Sequence, residues 1–389
     1  MNYILFDDSR EKLLPLTFTR PVCDLRIGIH TIREKWETCL KTSTSTLTED
    51  YLSVKFPMVS AFENILINGS VCPSAELTSE IESLKNGDRL MKEGKLLAAR
   101  VDGDVSTFQK ETEGEKEFRG EILAIKNPWD IFSKNGKAIE SDFELITAGR
   151  TSAKLSESNT IIGNGEVFLE EGAKAEASIF NTSNGSIYLG KNSEVMEGSV
   201  IRGPFALCEG SQVKMGAKIY GPTTVGPQSR VGGEVNNSVI IGYSNKGHDG
   251  FLGNSVLGEW CNLGADTNNS NLKNNYDEVR VWSYGAQRFA KTGLQFCGLI
   301  MGDHSKSGIN TMFNTGTVVG VSTNVFGSGF PRTFIPSFQW GGAAGFSEYN
   351  QEKAFATAER VMQRRGKQFD SNEKAILSSV FELTKSYRN

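Results

Sequence analysis

The sequence predicts an α/β amino-terminal domain, a three-sided parallel β-helix and a helical carboxyl-terminal extension. Three observations carry this. Ile201, Leu207, Val213, Ile219, Val225 and Val231 put an aliphatic residue at every sixth position, with Gly or a small or polar residue in most places between. Ahead of them, short apolar runs at residues 3–6 and 65–67 are separated by polar stretches, as buried strands of an α/β sheet are. Behind them, residues 341–389 hold two segments of helical periodicity. The expected domains are 1–150, 151–340 and 341–389.

In the amino-terminal domain, 3–6 reads as a first buried strand. A helix is expected over about 29–40, a second strand at 64–69, and further strands at 96–101 and 121–125. Residues 103–120, rich in Glu, Lys and Thr, read either as a helix with its loops or as an excursion. Asn127-Pro-Trp-Asp opens a short helix that leads out of the domain.

A period of six fits neither an amphipathic helix nor a half-buried strand. It fits a hexapeptide β-helix, in which three six-residue faces make one triangular coil. Residues eighteen apart then stack at the interstrand spacing of about 4.8 Å: Ile201 on Ile219, Leu207 on Val225, Val213 on Val231. Residues 155–200 read as looser first coils that cap the stack. The ladder resumes at Phe251, Leu257 and Leu263, then at Met301, Ser307, Phe313, Val319 and Val325. From Val231 to Phe251 is twenty residues and from Leu263 to Met301 thirty-eight, so each slip predicts a loop outside the coil. The first carries Lys246-Gly-His248 and the second a polar run from Asn268 to Trp282. Coil faces are occupied by packing, so such interruptions are where chemistry can sit.

Beyond the coils, residues 327–342 leave by a proline- and aromatic-rich segment. Residues 347–364 read as an amphipathic helix ended by Gly366. Asp370-Ser-Asn-Glu373 reads as a capping-box start for a second helix, with Ala375, Ile376, Val380, Leu383 and Tyr387 as its apolar stripe. That stripe docks on the solenoid or on a neighbouring subunit. The basic cluster Arg364-Arg365-Gly-Lys367 is a solvated helix end or, as the lesser reading, a phosphate site.

The balance of 42 Lys and Arg against 46 Asp and Glu leaves no electrostatic footprint for nucleic acid. No apolar run is long enough for membrane insertion, and the first residues lack the regions of a signal peptide. Six scattered cysteines show no metal-ligand spacing, and no metal site is expected from the solenoid. Cys208, Cys261 and Cys297 read as small buried hydrophobes. The expectation is a cytoplasmic, reduced protein.

Two stretches resemble a known family. Arg10, Leu14-Pro-Leu-Thr and Arg20-Pro21, with Ile65-Leu-Ile-Asn-Gly-Ser70, resemble the opening of sugar-nucleotidyltransferase domains, a Rossmann-like α/β fold. The departures are Asp7-Asp8-Ser9 in place of the glycine-rich loop, Val22 in place of a lysine, and Ser70 where the family's Asp would hold Mg2+. Arg10, Arg20 and Arg26 are either phosphate clamps or structural arginines. The run from Lys246 to Thr267 resembles the acetyltransferase half of GlmU-type enzymes, whose pattern is K-x-G-H followed by a hexad and N-I-G-A-G-T. That fold is a left-handed parallel β-helix. By this resemblance His248 matches the general base, Asn262 and Asn271 the two asparagines, and Gly264-Ala265 the small pair. Phe251 stands where the family has a tyrosine, and the family's phosphate-binding lysine falls near Asn237.

What the resemblance implies is amino-sugar nucleotide synthesis of the UDP-N-acetylglucosamine type. Acetyl-CoA is the cosubstrate, and Mg2+ and a nucleoside triphosphate enter only if the amino-terminal domain is active. The implied partners are a sugar phosphate and a CoA thioester, in a homotrimer with its sites between solenoids. The chemistry asks for such residues independently. An ammonium must lose a proton before its nitrogen attacks a thioester, and histidine titrates near 6.5, where it can take it. Small residues expose backbone amides to an oxyanion. Lys246, Lys273 and Arg280 are candidates for the sugar phosphate. Gly308, Ile309, Gly327 and Arg332 are candidates for CoA, with Arg332 equally readable as packing on Phe334 or Trp340. His304, inside a regular hexad, is expected to point outward. Three functions stay open: CoA-dependent N-acyl transfer, sugar-1-phosphate nucleotidyl transfer, and a non-catalytic sugar-nucleotide-binding scaffold.

Overall fold

The protein is described from a computed structural model, which places residues 1–105, 108 and 114–388. It divides into two compact units. One holds Met1–Leu13, Thr19–Leu25 and His30–Lys126; the other holds Leu14–Phe18, Arg26–Ile29 and Asn127–Asn389.

The first unit is an α/β sheet of six strands. Asn2–Phe6 lies between two parallel neighbours, Ser45–Leu47 and Glu63–Asn68. Lys95–Asp102 then joins Glu63–Asn68 antiparallel, and Asp88–Lys92 and Gly114–Glu117 complete the sheet. Ile4, Leu5, Ile65, Leu66 and Ile67 are fully buried, as strands covered on both faces require. The first helix is Ile32–Leu40, entered through a capping box of Thr31 and Glu34. The strand expected at 121–125 is absent among the described residues. Only an isolated bridge from Val71 to Ala124 forms there, because the flanking Glu121 and Lys126 leave too short an apolar run. Part of the 103–120 expectation lies outside the described residues, and its end is the strand Gly114–Glu117.

The second unit is built on a parallel β-helix, whose three faces are sheets of six, nine and ten strands. The hexad ladder is realised: Ile201 pairs with Ile219, Leu207 with Val225 and Val213 with Val231. These side chains form one continuous apolar core running from Leu169 to Ile335. At one corner of each coil a residue with left-handed backbone turns the chain. Asn192, Gln228, Tyr243, Trp260, His304, Ser322 and Phe338 all have φ between 52° and 61°.

The first expected loop is not a loop. Residues 234–246 make a shortened coil whose strands are Glu234–Asn236, Val239–Gly242 and Asn245–Lys246. Val235 stacks on Ile219, Ile240 on Val225, and Lys246 on Val231. The next coil places Leu252, not Phe251, over Val235. A coil of fifteen to seventeen residues satisfies the same ladder, and the shift passes for an insertion when eighteen is assumed. The second interruption is a true excursion. It contains the hairpin Arg280–Ser283 with Arg288–Lys291, after which Met301 returns over Leu257.

Two helices precede the coils. Pro128–Ser133 begins at a capping box of Asn127 and Asp130, and Asn135–Thr147 follows it. The carboxyl-terminal helices are Gln351–Gln363 and Ser371–Leu383. The first starts later than expected, because Gly345–Glu348 pairs antiparallel with Gln339–Gly342. The buried stripe of the second is Ile376, Leu377 and Val380, while Leu383 is 54% exposed. Tyr387 packs edge-on against Trp282, Tyr284 and Phe334, so the extension docks on its own chain.

Candidate functional site

A groove of about 750 Å³ runs along one face of the β-helix, under the end of the helix Gln351–Gln363. Its floor is a column of outward positions one coil apart: Arg230, Asn245, Asn262 and Lys306. His248, Gly264, Ala265 and Ile309 line it as well, with Lys214, Tyr243, Trp260, Arg364 and Arg365.

The shortened coil explains where His248 lies. Lys246 fills an inward ladder position and is 2% exposed. Its Nζ donates to the carbonyls of Gly232 at 2.9 Å and His248 at 2.6 Å. Burial pushes this amine down to about 8. The chain is thereby pinned on both sides of the exposed imidazole of His248.

Gly264 packs directly on the backbone of Gly308 in the next coil. A Cβ on Gly264 would lie 2.5 Å from the Gly308 carbonyl carbon and 2.6 Å from the Ile309 nitrogen. Only glycine fits there. Of the small pair Gly264-Ala265, whose amides the sequence offered to an oxyanion, that of Gly264 is engaged within the stack of coils. Gly264 N–H donates to Ser307 at 3.1 Å and Gly308 N–H to Val325 at 2.7 Å.

Other expected residues lie elsewhere. Asn271 is outside the groove lining, and its Nδ2 donates to Asn254 Oδ1 at 2.8 Å. Lys273 donates to the carbonyl of Glu278 at 2.8 Å, within its own excursion. Arg280 is exposed on the hairpin. Gly327 lines a separate shallow pocket with Trp340 and Phe346. Arg332 stacks on Phe346 at 5.0 Å, rather than on Phe334 or Trp340. His304 is 6% exposed at its corner, covered by Trp260, on which it stacks at 6.2 Å and which is itself 4.3 Å from Tyr243.

Arg26 is a structural arginine of the β-helix unit, donating to the carbonyls of Ile241 at 3.0 Å and of Ile29. In the first unit, Arg10 meets Tyr51 and lies 3.9 Å from Asp7, while Arg20 is buried. The Mg2+ position of the resembling domains does not fit a divalent cation here. Ser70 Oγ accepts from Lys95 Nζ at 2.8 Å and donates to Asn68 at 2.7 Å. The same ammonium is 3.1 Å from Asp8. A neutral hydroxyl beside a fixed ammonium is a poor ligand for a hard cation. Burial alone would raise Asp8, but the hydrogen bond from Asn68 and the Lys95 charge outweigh it and hold that carboxyl below its ordinary value.

Five groove residues were invisible as a set in the sequence: Lys214, Arg230, Tyr243, Trp260 and Lys306. Their recurrence at outward and corner positions shows only when coils of fifteen to seventeen residues are allowed.

Residues 3–151 match a family model described as sugar nucleotidyl transferase. The chain is similar to the bifunctional protein GlmU of Methanocaldococcus jannaschii, 29% identical over 196 residues that cover 50% of this chain and 41% of the relative. It is similar also to the bifunctional sugar-1-phosphate nucleotidylyltransferase/acetyltransferase of Sulfurisphaera tokodaii, 29% identical over 214 residues, 54% of this chain and 46% of the relative. An uncharacterized acetyltransferase of Escherichia coli, YaiX, is 26% identical over 153 residues, 39% of this chain and 66% of the relative. Among solved structures, the UDP-N-acetylglucosamine acyltransferase from Campylobacter jejuni matches at a TM-score of 0.21 and 16% identity, covering 60% of this chain and 83% of that one. The chain spans less than half the length of the two bifunctional relatives.

Proposed function

We propose that this protein is a CoA-dependent N-acyltransferase acting on an amino-sugar phosphate, with His248 as general base. One observation supports the reading above the others: His248, Asn262, Gly264 and Ala265 share one groove. In the reaction, the imidazole takes a proton from the sugar ammonium. The freed nitrogen attacks the thioester carbonyl carbon, the nitrogen of the tetrahedral intermediate gives up its second proton to solvent, the oxyanion collapses to the amide and the carbon–sulfur bond breaks. The proton held by the imidazole then passes to the departing thiolate. Asn262, exposed in the groove, supplies a neutral donor for the oxyanion or a sugar hydroxyl. Lys246 holds the backbone that carries the base. The reading brings with it acetyl-CoA as donor, a UDP-N-acetylglucosamine type of pathway, a cytoplasmic setting and a homotrimer. Asn271, outside the groove on its own chain, suits a contribution to a site shared with a neighbour.

Nucleotidyl transfer as the main activity is less well supported, because Lys95 and Ser70 stand where a metal site would be needed. A non-catalytic scaffold leaves the exposed imidazole without a role. The deciding assay gives purified protein acetyl-CoA and glucosamine 1-phosphate and reads thiol release, beside a UTP-dependent pyrophosphate assay. Thiol release that falls by at least a hundredfold in His248→Ala supports the reading. Release that persists in that variant, or pyrophosphate release alone, overturns it.

A further inference from the structure

The groove holds more positive charge than acyl transfer explains. Lys214, Arg230, Arg364 and Arg365 all line it, and no Asp or Glu does. Among the described residues, none of the four forms an ion pair with a carboxylate. Their hydrogen-bond partners are neutral: Lys214 donates to Gln212 at 3.0 Å, Arg230 to the carbonyl of Gln228 at 3.4 Å, and Arg365 to Asn245 at 3.1 Å. Burial, and then the charge of Arg364, hold Arg230 below its ordinary value. Arg365 is held down in the same way by burial, then by Arg230 and Arg364. Like charges have therefore been brought together in a partly dry groove with no ion-paired carboxylate among the described residues, an arrangement that disfavours the folded state unless an anion binds.

We propose that Lys214, Arg230, Arg364 and Arg365 form a diphosphate-binding subsite, so that the carboxyl-terminal helix of the same chain completes the ligand groove. Guanidinium groups grip phosphate oxygens through paired N–H donors, and three of them converge here. Four unneutralised cations call for more negative charge than one phosphate carries. A groove of about 750 Å³ falls within the range of roughly 300–1,000 Å³ that small-molecule sites occupy. Two ligands bear a diphosphate beside a reacting group: CoA, and a nucleotide-linked sugar. The subsite rests on the acyl-transfer reading only for what lies beside His248; its own chemistry is anion capture.

The test uses the full chain and reads Trp260 fluorescence or calorimetric heat with inorganic pyrophosphate, CoA, UDP-N-acetylglucosamine and pantetheine, the last lacking the diphosphate. Arg364 is exposed and Arg365 half-buried, so the double variant Arg364→Ala/Arg365→Ala is expected to melt within a few degrees of the parent. Pyrophosphate should bind the parent, weaken steeply with salt, and lose at least tenfold in affinity in the double variant. Pantetheine should be unaffected. A parallel loss for CoA assigns the subsite to the acyl donor; a loss for the UDP-sugar assigns it to the acceptor. Unchanged pyrophosphate affinity in a folded double variant overturns the proposal, as does absence of pyrophosphate binding to the parent. His248→Ala serves as the separate control. Thiol release that survives it would remove the acyl-transfer reading while the anion titration still reports on the subsite.

Discussion

Lys246 Nζ donates to the backbone carbonyl of His248 at 2.6 Å, from a ladder position that Val231 fills in the previous coil. A buried amine among aliphatic side chains is costly on its own, and its partners here are carbonyls rather than carboxylates. The stability it forgoes is exchanged for a fixed backbone at the imidazole. Lys246→Met keeps length and fills the core, so the variant should fold, with a melting temperature within a few degrees of the parent or above it. Thiol release should fall about ten- to a hundredfold in kcat, with KM little changed, because the base is displaced rather than the substrate. Equal kcat in the variant would show that the hydrogen bond positions nothing. Backbone hydrogen exchange at 247–250, expected to quicken, checks the cause without using activity.

The same amine makes stability depend on alkaline pH. Burial depresses Lys246 to about 8 from an ordinary value near 10.5. Between these values the unfolded chain binds the proton and the folded one does not, so stability rises as pH climbs from about 8 to about 10.5. It is lost again as pH falls through 8. The size is on the order of 3 kcal/mol. Lys306, depressed by burial to about 8 as well, acts in the same direction. Denaturant unfolding at pH 7.5 and 9.5 should therefore show the parent gaining more than Lys246→Met over that interval. Equal gains would mean that the amine is charged throughout.

Gly264 faces Gly308 so closely that any side chain must displace main-chain atoms. A methyl group at Gly264 would sit 2.5 Å from the Gly308 carbonyl carbon. Gly264→Ala should thus lose about 1–3 kcal/mol in denaturant unfolding, with thiol release falling further than stability alone explains. Gly247, whose Cβ would meet nothing within 4 Å, provides the contrast. Gly247→Ala should unfold within about 1 kcal/mol of the parent. If the two variants were equally stable, the coils would be looser at this corner than the contacts imply.

What could be read from the sequence follows from which interactions repeat. The ladder from Ile201 to Val231 repeats every six residues, so coil, stacking and core were all legible. His248, Asn262 and Gly264 stood out because the surrounding run resembles a known pattern. Lys246 was misplaced into a loop, since a lysine at an inward position does not register as part of an apolar ladder. The cations facing the groove were hidden for another reason. Lys214 and Arg365 are 151 positions apart in the chain, and only the docking of Gln351–Gln363 on the solenoid makes them neighbours. Similarly, nothing local marks Arg26 as a partner of Ile241.

In the first unit, Asp8 and Lys95 form a pair 3.1 Å apart at side-chain exposures of 29% and 20%. Its lysine also reaches Ser70 at 2.8 Å. Lys95→Met leaves Asp8 with hydrogen bonds from Asn68 and Ser9 but without its ammonium partner, so the unit should lose about 1–2 kcal/mol at neutral pH. The sign of the pH effect follows from the depressed Asp8 carboxyl. Its contribution is complete above the unfolded value near 4 and disappears as pH falls through the lower folded value. Parent and variant should therefore converge in stability towards pH 3. A second substitution, Ser70→Asp, adds an anionic oxygen where the resembling domains hold their metal. In the parent, Mn2+ should leave the electron paramagnetic resonance spectrum of the free ion unchanged. In Ser70→Asp/Lys95→Met it should attenuate that signal, because two carboxylates then face one another without an internal ammonium. Attenuation by the parent itself would show that Lys95 gives way to a divalent cation, and would restore nucleotidyl transfer as a live activity of this unit.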